Sequence, residues 1–281
     1  MIRTRRLTVA GLTTSVLVGG PGLEGCGEAV VFVHGNPDTG SDWMPLMARI
    51  AGFANVVAPD LPGFGAADPR PDGDYTIFSY ARFLDGVIRE LNIDRVHLVA
   101  HDFGGPFAAA WAADHPSRVA SVTFLNTGVL LGYRWHLAAR VWQTPILGEL
   151  LMRSVNPRRA ATMLARRNPG LPPDWVDTIA GHLLPKKTRR AVLRLYRSTR
   201  DGDMEQLAAR LRQHDLDALV VFGDADAYIP VEQAYRQIEV FPRVEIRVLQ
   251  GAGHWCWLER TDEVADHVVP FIRSRIRAFS P

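Results

Sequence analysis

The sequence predicts an α/β protein: a mostly parallel sheet, covered by helices on both faces and interrupted by a helical insertion. Three observations predict it. Short apolar runs of strand length alternate with helical stretches in steps of about 20–30 residues, the signature of βαβ units. The alternation stops over residues 130–216, where helical segments punctuated by Pro145, Pro157, Pro169, Pro172, Pro173 and Pro185 take over, and then it resumes. Glycine-bracketed turns that carry chemically able side chains stand directly after four of the apolar runs.

Taken in order, the chain opens with two short strands about a turn at Gly11. Thr8, Thr13, Thr14 and Ser15 break up the stretch Leu7–Gly20 and no small-residue cleavage site follows it, so it does not read as a secretory leader. The first buried strand is Ala29–Val33, and the next lies around Val56–Ala58. Val96–Ala100 and Val119–Leu125 follow, with helical patterns near Trp43–Ala51, Ile77–Leu91 and Gly105–Ala113 between them. After the insertion come a strand Ala218–Phe222, a helix near Val231–Ile238, a strand Val244–Leu249 and a final helix over about Glu263–Ile276. The domain reading is therefore a core of residues 1–129 and 217–281 with a helical lid of residues 130–216.

Composition narrows the function classes. With 281 residues, 47% of them hydrophobic, the chain can bury a large core, which excludes a disordered protein. Twenty-four glycines and 19 prolines are too few for a collagen-like or low-complexity chain. The net charge of +2 gives no case for nucleic acid. Cys26 and Cys256 form neither a disulfide framework nor a metal-ligand spacing, and no apolar run is long enough to span a membrane. The expectation is a cytoplasmic monomer or homodimer without metal or organic cofactor, acting on a small molecule. The near-neutral sum hides an asymmetry. Residues 130–200 hold 14 Lys and Arg against Glu149, Asp174 and Asp177, a net of +11, and the remainder carries −9. Solvated helix faces are one reading; a positive field that draws in an anionic or carrier-bound substrate is the other.

The strongest motif is Ala100-His-Asp-Phe-Gly-Gly105, between a strand and a helix. Small residues at 100, 104 and 105 permit the sharp turn of a nucleophile elbow, with Asp102 where esterases place serine. A carboxylate nucleophile attacks a saturated carbon bearing a leaving group, or a strained ring, and forms an ester with the enzyme. His34-Gly-Asn-Pro37 follows the first buried strand, and the N–H groups of Asn36 and Phe103 can form an oxyanion hole. Its proline suggests a cis bond. Gly251-Ala-Gly-His254 presents a histidine suited to act as general base. In Gly223-Asp-Ala-Asp-Ala-Tyr-Ile-Pro230 the spacing selects Asp226 to orient that base, with Asp224 as the alternative. His34 and His101 flank the site and are expected to stand behind the reacting groups, or else to be ordinary structural residues.

With these motifs in the order Asp102…Asp226…His254, the chain resembles the α/β-hydrolase superfamily over essentially its full length, and its aspartate resembles that of the epoxide hydrolase and haloalkane dehalogenase branch. Pro59-Asp-Leu-Pro-Gly-Phe-Gly65 is a further landmark of that branch. The resemblance implies the α/β-hydrolase fold, an eight-stranded, mostly parallel sheet with a helical cap inserted after the sixth strand. Epoxide hydrolases use cap tyrosines to bond the opening ring oxygen. Tyr196, 30 residues before Asp226 and 58 before His254, has a spacing similar to the second of them, and Tyr133 is the other cap tyrosine. Haloalkane dehalogenases hold halide with a tryptophan after the nucleophile and a tryptophan or asparagine after the His-Gly pair. Asn36 fits that asparagine, but Phe103 replaces the tryptophan; Trp135, Trp142 and Trp175 are cap residues that could compensate. Fluoroacetate-type enzymes would place arginine after the nucleophile, and this chain does not. Asn126 stands where some dehalogenases put their acid.

The resemblance thus favours an epoxide hydrolase that forms an alkyl ester on Asp102 and hydrolyses it with His254-activated water. Tyr196, with Tyr133 as a second donor, would serve the ring oxygen. Carbon–halogen hydrolysis by the same triad is the alternative. A protein of this fold that only binds ligands is the third reading, which the intact triad argues against.

Overall fold

A computed structural model describes residues 1–22, 27–200 and 202–277. Cys26 lies outside the described residues. Eight strands form one sheet: β1 (Arg3–Val9), β2 (Leu12–Gly19), β3 (Glu28–Val33), β4 (Val56–Pro59), β5 (Arg95–His101), β6 (Val119–Leu125), β7 (Asp217–Gly223) and β8 (Arg243–Leu249). Their spatial order is β1-β2-β4-β3-β5-β6-β7-β8. β1, β2 and β4 pair antiparallel, and from β4 to β8 every neighbour is parallel. Ala10 and Gly11 close the first hairpin with φ of 49° and 80°, left-handed values that match the twist of the two strands.

The helices are α1 (Met44–Ile50), α2 (Ile77–Glu90), α3 (Gly104–Asp114), α4 (Leu137–Gln143), α5 (Leu147–Ser154), α6 (Pro157–Arg167), α7 (Pro173–His182), α8 (Lys186–Ser198), α9 (Asp203–Leu211), α10 (Glu232–Tyr235), α11 (Cys256–Glu259) and α12 (Thr261–Arg273). The continuous apolar runs are buried on both faces, as a covered parallel sheet requires. Along β3, Val31 and Val33 join one core with α2 and α3, while Val30 and Phe32 join a second core with α1, α11 and α12. The helix expected near Val231–Ile238 is shorter: α10 tightens into a 3-10 turn at Arg236–Glu239.

Six helices, α4 to α9, lie between β6 and β7 with no strand among their described residues. α8 is the innermost. It buries Ala191, Val192, Leu195 and Tyr196 in the first core, while Arg190, Arg194 and Arg197 remain at the surface side of the helix. Gly63, after β4, lets this helix approach, because a Cβ there would stand 2.6 Å from that of Ala191. No helix among the described residues is long and apolar enough to cross a membrane.

Candidate active site

The parallel strands deliver the motif residues to one edge of the sheet, at their carboxyl ends. Asp102 follows β5 with φ +49°, a left-handed conformation that is costly for a residue with a side chain. The turn holds because its neighbours are small. A Cβ on Gly104 would lie 2.1 Å from the Val33 carbonyl oxygen, and one on Gly35 would lie 2.4 Å from the Asp102 Cβ. Thr127 Oγ1, just after β6, donates to the Asp102 carbonyl at 2.6 Å and braces the elbow.

Three groups converge on the Asp102 carboxylate. The Asn36 N–H donates to Oδ1 at 2.8 Å, and the Phe103 N–H adds a backbone hydrogen bond. The expected cis bond is present at Asn36–Pro37. His254 Nε2 lies 3.7 Å from Oδ2. Burial raises the Asp102 pKa above the ordinary carboxylate range, against the opposing pull of His254 and His101.

Behind His254, Nδ1 meets Asp226 Oδ2 at 2.7 Å. The same oxygen accepts from Asn126 Nδ2 at 2.8 Å, and Asp226 Oδ1 accepts from the N–H groups of Tyr228 and Ile229 at 2.7 and 3.0 Å. Burial opposes ionisation of Asp226, but His254 and these donors lower its pKa. Asp224 is elsewhere: its carboxylate accepts from the Gly251 N–H on an exposed loop. Burial pulls the His254 pKa down, yet the carboxylates of Asp226, Asp102 and Asp38 outweigh it and push it up to about 9.

The flanking histidines have distinct places. His34 holds loops together, with Nδ1 2.9 Å from the Gly35 carbonyl and Nε2 accepting from the Leu61 N–H at 2.9 Å. His101 sits directly behind His254: Nδ1 is 3.0 Å from Asp38 Oδ2 and Nε2 is 3.1 Å from the His254 carbonyl. Asp38, which the sequence reading passed over, also accepts from Trp255 Nε1 at 2.8 Å and is held well below the usual carboxylate range despite its burial.

Asp102 lies where two chambers meet. One, of about 280 Å³, is bordered by Phe103, Tyr133, Trp135, Met204 and Ile229. The other, of about 210 Å³, runs under α5, α6 and α7 and reaches His254. Tyr196, His136 and Tyr228 line both. The Tyr196 hydroxyl is buried and accepts from Asn36 Nδ2 at 3.3 Å, and no described residue accepts its proton. Burial and the Asp102 charge hold this phenol far above its ordinary pKa, so it remains a donor.

Tyr133 differs. It donates its one hydroxyl proton to the Tyr228 carbonyl at 2.9 Å and takes a hydrogen bond from the His136 N–H. His136 was not singled out in the sequence, because a histidine before a helix reads as a cap. It is one, accepting from the Ala139 N–H at Nδ1, which leaves the neutral ring its proton on Nε2. Burial, with the charges of His254 and Arg167, pushes its pKa down to about 4.

Comparison with known proteins agrees with this architecture. The alpha/beta hydrolase fold family matches residues 28–150. A haloalkane dehalogenase of Mesorhizobium japonicum is 30% identical over 202 residues, which span 69% of this chain but only 65% of that enzyme. A 2-hydroxy-6-oxononadienedioate/2-hydroxy-6-oxononatrienedioate hydrolase of Paraburkholderia phymatum is 24% identical over 258 residues, 87% of each chain. Among solved structures, the epoxide hydrolase CorEH superposes with a TM-score of 0.82 at 18% identity, covering 98% of this chain and 99% of that one. The chain has the α/β-hydrolase fold, and it is similar to epoxide hydrolases and haloalkane dehalogenases of that fold.

Proposed function

We propose that the protein is an epoxide hydrolase whose nucleophile is Asp102, with α4 to α9 acting as the cap. One observation carries this reading over its rivals: the buried Tyr196 hydroxyl faces the same cavity as Asp102, with a proton that no described protein group takes. An Asp102 oxygen attacks an epoxide carbon, the carbon–oxygen bond breaks, and the ring oxygen takes the Tyr196 proton. His136 Nε2–H is a second donor at the cavity wall, in the role expected of Tyr133.

The ester has no charge on Asp102, so one of the carboxylates that hold His254 protonated is gone. His254 then passes its proton through solvent to the Tyr196 oxygen and becomes a base. It takes a proton from water as that water attacks the ester carbonyl carbon. The tetrahedral oxyanion meets the N–H groups of Asn36 and Phe103. Collapse frees the vicinal diol and restores the carboxylate beside a protonated His254.

The test is the His254→Gln variant with styrene oxide under mass spectrometry. An alkyl-enzyme adduct on Asp102 is expected to accumulate, and diol formation to fall by ~10²–10⁴-fold, as loss of a general base does. Wild-type turnover without any adduct in the variant defeats the covalent scheme. Carbon–halogen hydrolysis remains the rival because Trp135 and Trp142 line the chambers and their indole N–H groups have no described acceptor. Halide release from small haloalkanes, with no diol from epoxides, would transfer the assignment to that reaction.

A further inference from the structure

The basic stretch has no part in the chemistry above, yet three of its arginines border the reaction cavity: Arg200 beside the larger chamber, and Arg159 and Arg167 beside the other. Arg159 and Arg167, on α6, line the chamber that reaches Asp102 and His254. α6 carries Arg158, Arg159, Arg166 and Arg167 and no acidic residue. No described carboxylate pairs with Arg159 or Arg167. Arg167 is anchored: its guanidinium lies 5.8 Å from the Tyr228 ring centroid, and that ring is 4.9 Å from His254. The charge is therefore no farther from the His254 ring than those two spacings end to end. Most of the chamber's remaining lining is apolar and includes Ala138, Trp142, Val155, Leu164 and Leu183.

A cation at the rim of an apolar chamber, without an acid of its own, is matched by a ligand that supplies both parts. We propose that the substrate is an amphipathic carboxylate, its charged end on Arg159 and Arg167 and its apolar chain directed along the chamber toward Asp102. The proposal rests on the epoxide reading of the same cavity and extends it, since the reacting epoxide would be carried on that chain. Two guanidinium forks suit a carboxylate, and the mainly apolar lining favours an acid with a long apolar chain over a short polar one.

Decanoate and 1-decanol, which share a chain and differ in charge, test it by quenching of tryptophan fluorescence, because Trp142 and Trp255 line the chamber. Decanoate is expected to bind at least ~10-fold more tightly, the scale of a charge-assisted hydrogen bond. In R159Q/R167Q that ratio should fall close to one, in R159K/R167K most of it should persist, and R158Q should retain it. If the glutamine double variant does not fold, R167Q alone is expected to lower the ratio by at least ~3-fold. Equal binding of the two probes to the wild type, or a preference that survives R159Q/R167Q, overturns the proposal. Neither probe contains an epoxide, so the outcomes separate. Styrene oxide turnover without a decanoate preference defeats the anionic site alone, and a decanoate preference without epoxide turnover defeats the epoxide reading alone.

Discussion

His254 and Asp102 set each other's protonation, and this coupling gives the site its pH behaviour. His254 is raised to about 9 because three carboxylates surround it, so it rests as a cation beside Asp102. In Asp102→Asn one carboxylate is lost, and the His254 midpoint followed by NMR is expected to fall by about one unit or more. An unchanged midpoint would remove the proposed means of activating the base. The same raised pKa implies a stability term that is fully present below about pH 6.5, the ordinary histidine value, and lost as pH rises through about 9. The urea midpoint of the wild type should therefore approach that of His254→Gln between those limits. Asp102 also carries backbone strain at φ +49°. Both Asp102→Gly and Asp102→Ala remove the proposed nucleophile, but glycine relieves the left-handed backbone. The glycine variant is expected to be more stable than the alanine variant by ~1 kcal/mol in chemical denaturation.

At the scale of elements, what was legible in the sequence follows how local each signal is. Ala29–Val33 and Val96–Ala100 read as buried strands because both faces of such strands are apolar, and each motif was found by its place just after such a run. The choice of Asp226 over Asp224 also came from spacing within one loop. Tyr133 and His136 were beyond that method, since their roles depend on contacts across the fold. The Tyr133 proton goes to the carbonyl of Tyr228, 95 residues away, whereas the ring of His136 packs against Tyr196 and Tyr228 at 6.4 and 5.6 Å. Asp38 was missed for the same reason; nothing near it in sequence announces that it meets His101 and Trp255. The elbow itself rests on the approach of α3 to β3. Gly104→Ala would place a methyl group 2.1 Å from the Val33 oxygen, a backbone atom that cannot turn aside. A loss of ~3 kcal/mol or more is expected by urea denaturation, as for severe overpacking, and a loss below about 1 kcal/mol would show that strand and helix are not held in this register.

Across the whole molecule, the nearly neutral sum of +2 is an average over two unlike parts, +11 on residues 130–200 and −9 on the remainder. The helices between β6 and β7 carry the positive part, and the cavity opens among them, so a charged substrate would meet that field before it meets the site. One of these cations is paired in place, Arg197 with Glu149 at 2.6 Å, so the field comes from the others, on α6 above all. Exposed charges act over a Debye length of about 10 Å at 0.1 M salt and about 3 Å at 1 M. Raising the ionic strength between those limits should therefore lower kcat/KM for an epoxide of a carboxylic acid by at least ~10-fold, while the corresponding methyl ester changes by less than ~2-fold. The two compounds share the reacting ring and the chain, so the difference between their salt slopes isolates the charge. Parallel slopes would mean that the arginines of this region serve only to solvate their helices, and that the uneven charge has no part in substrate capture.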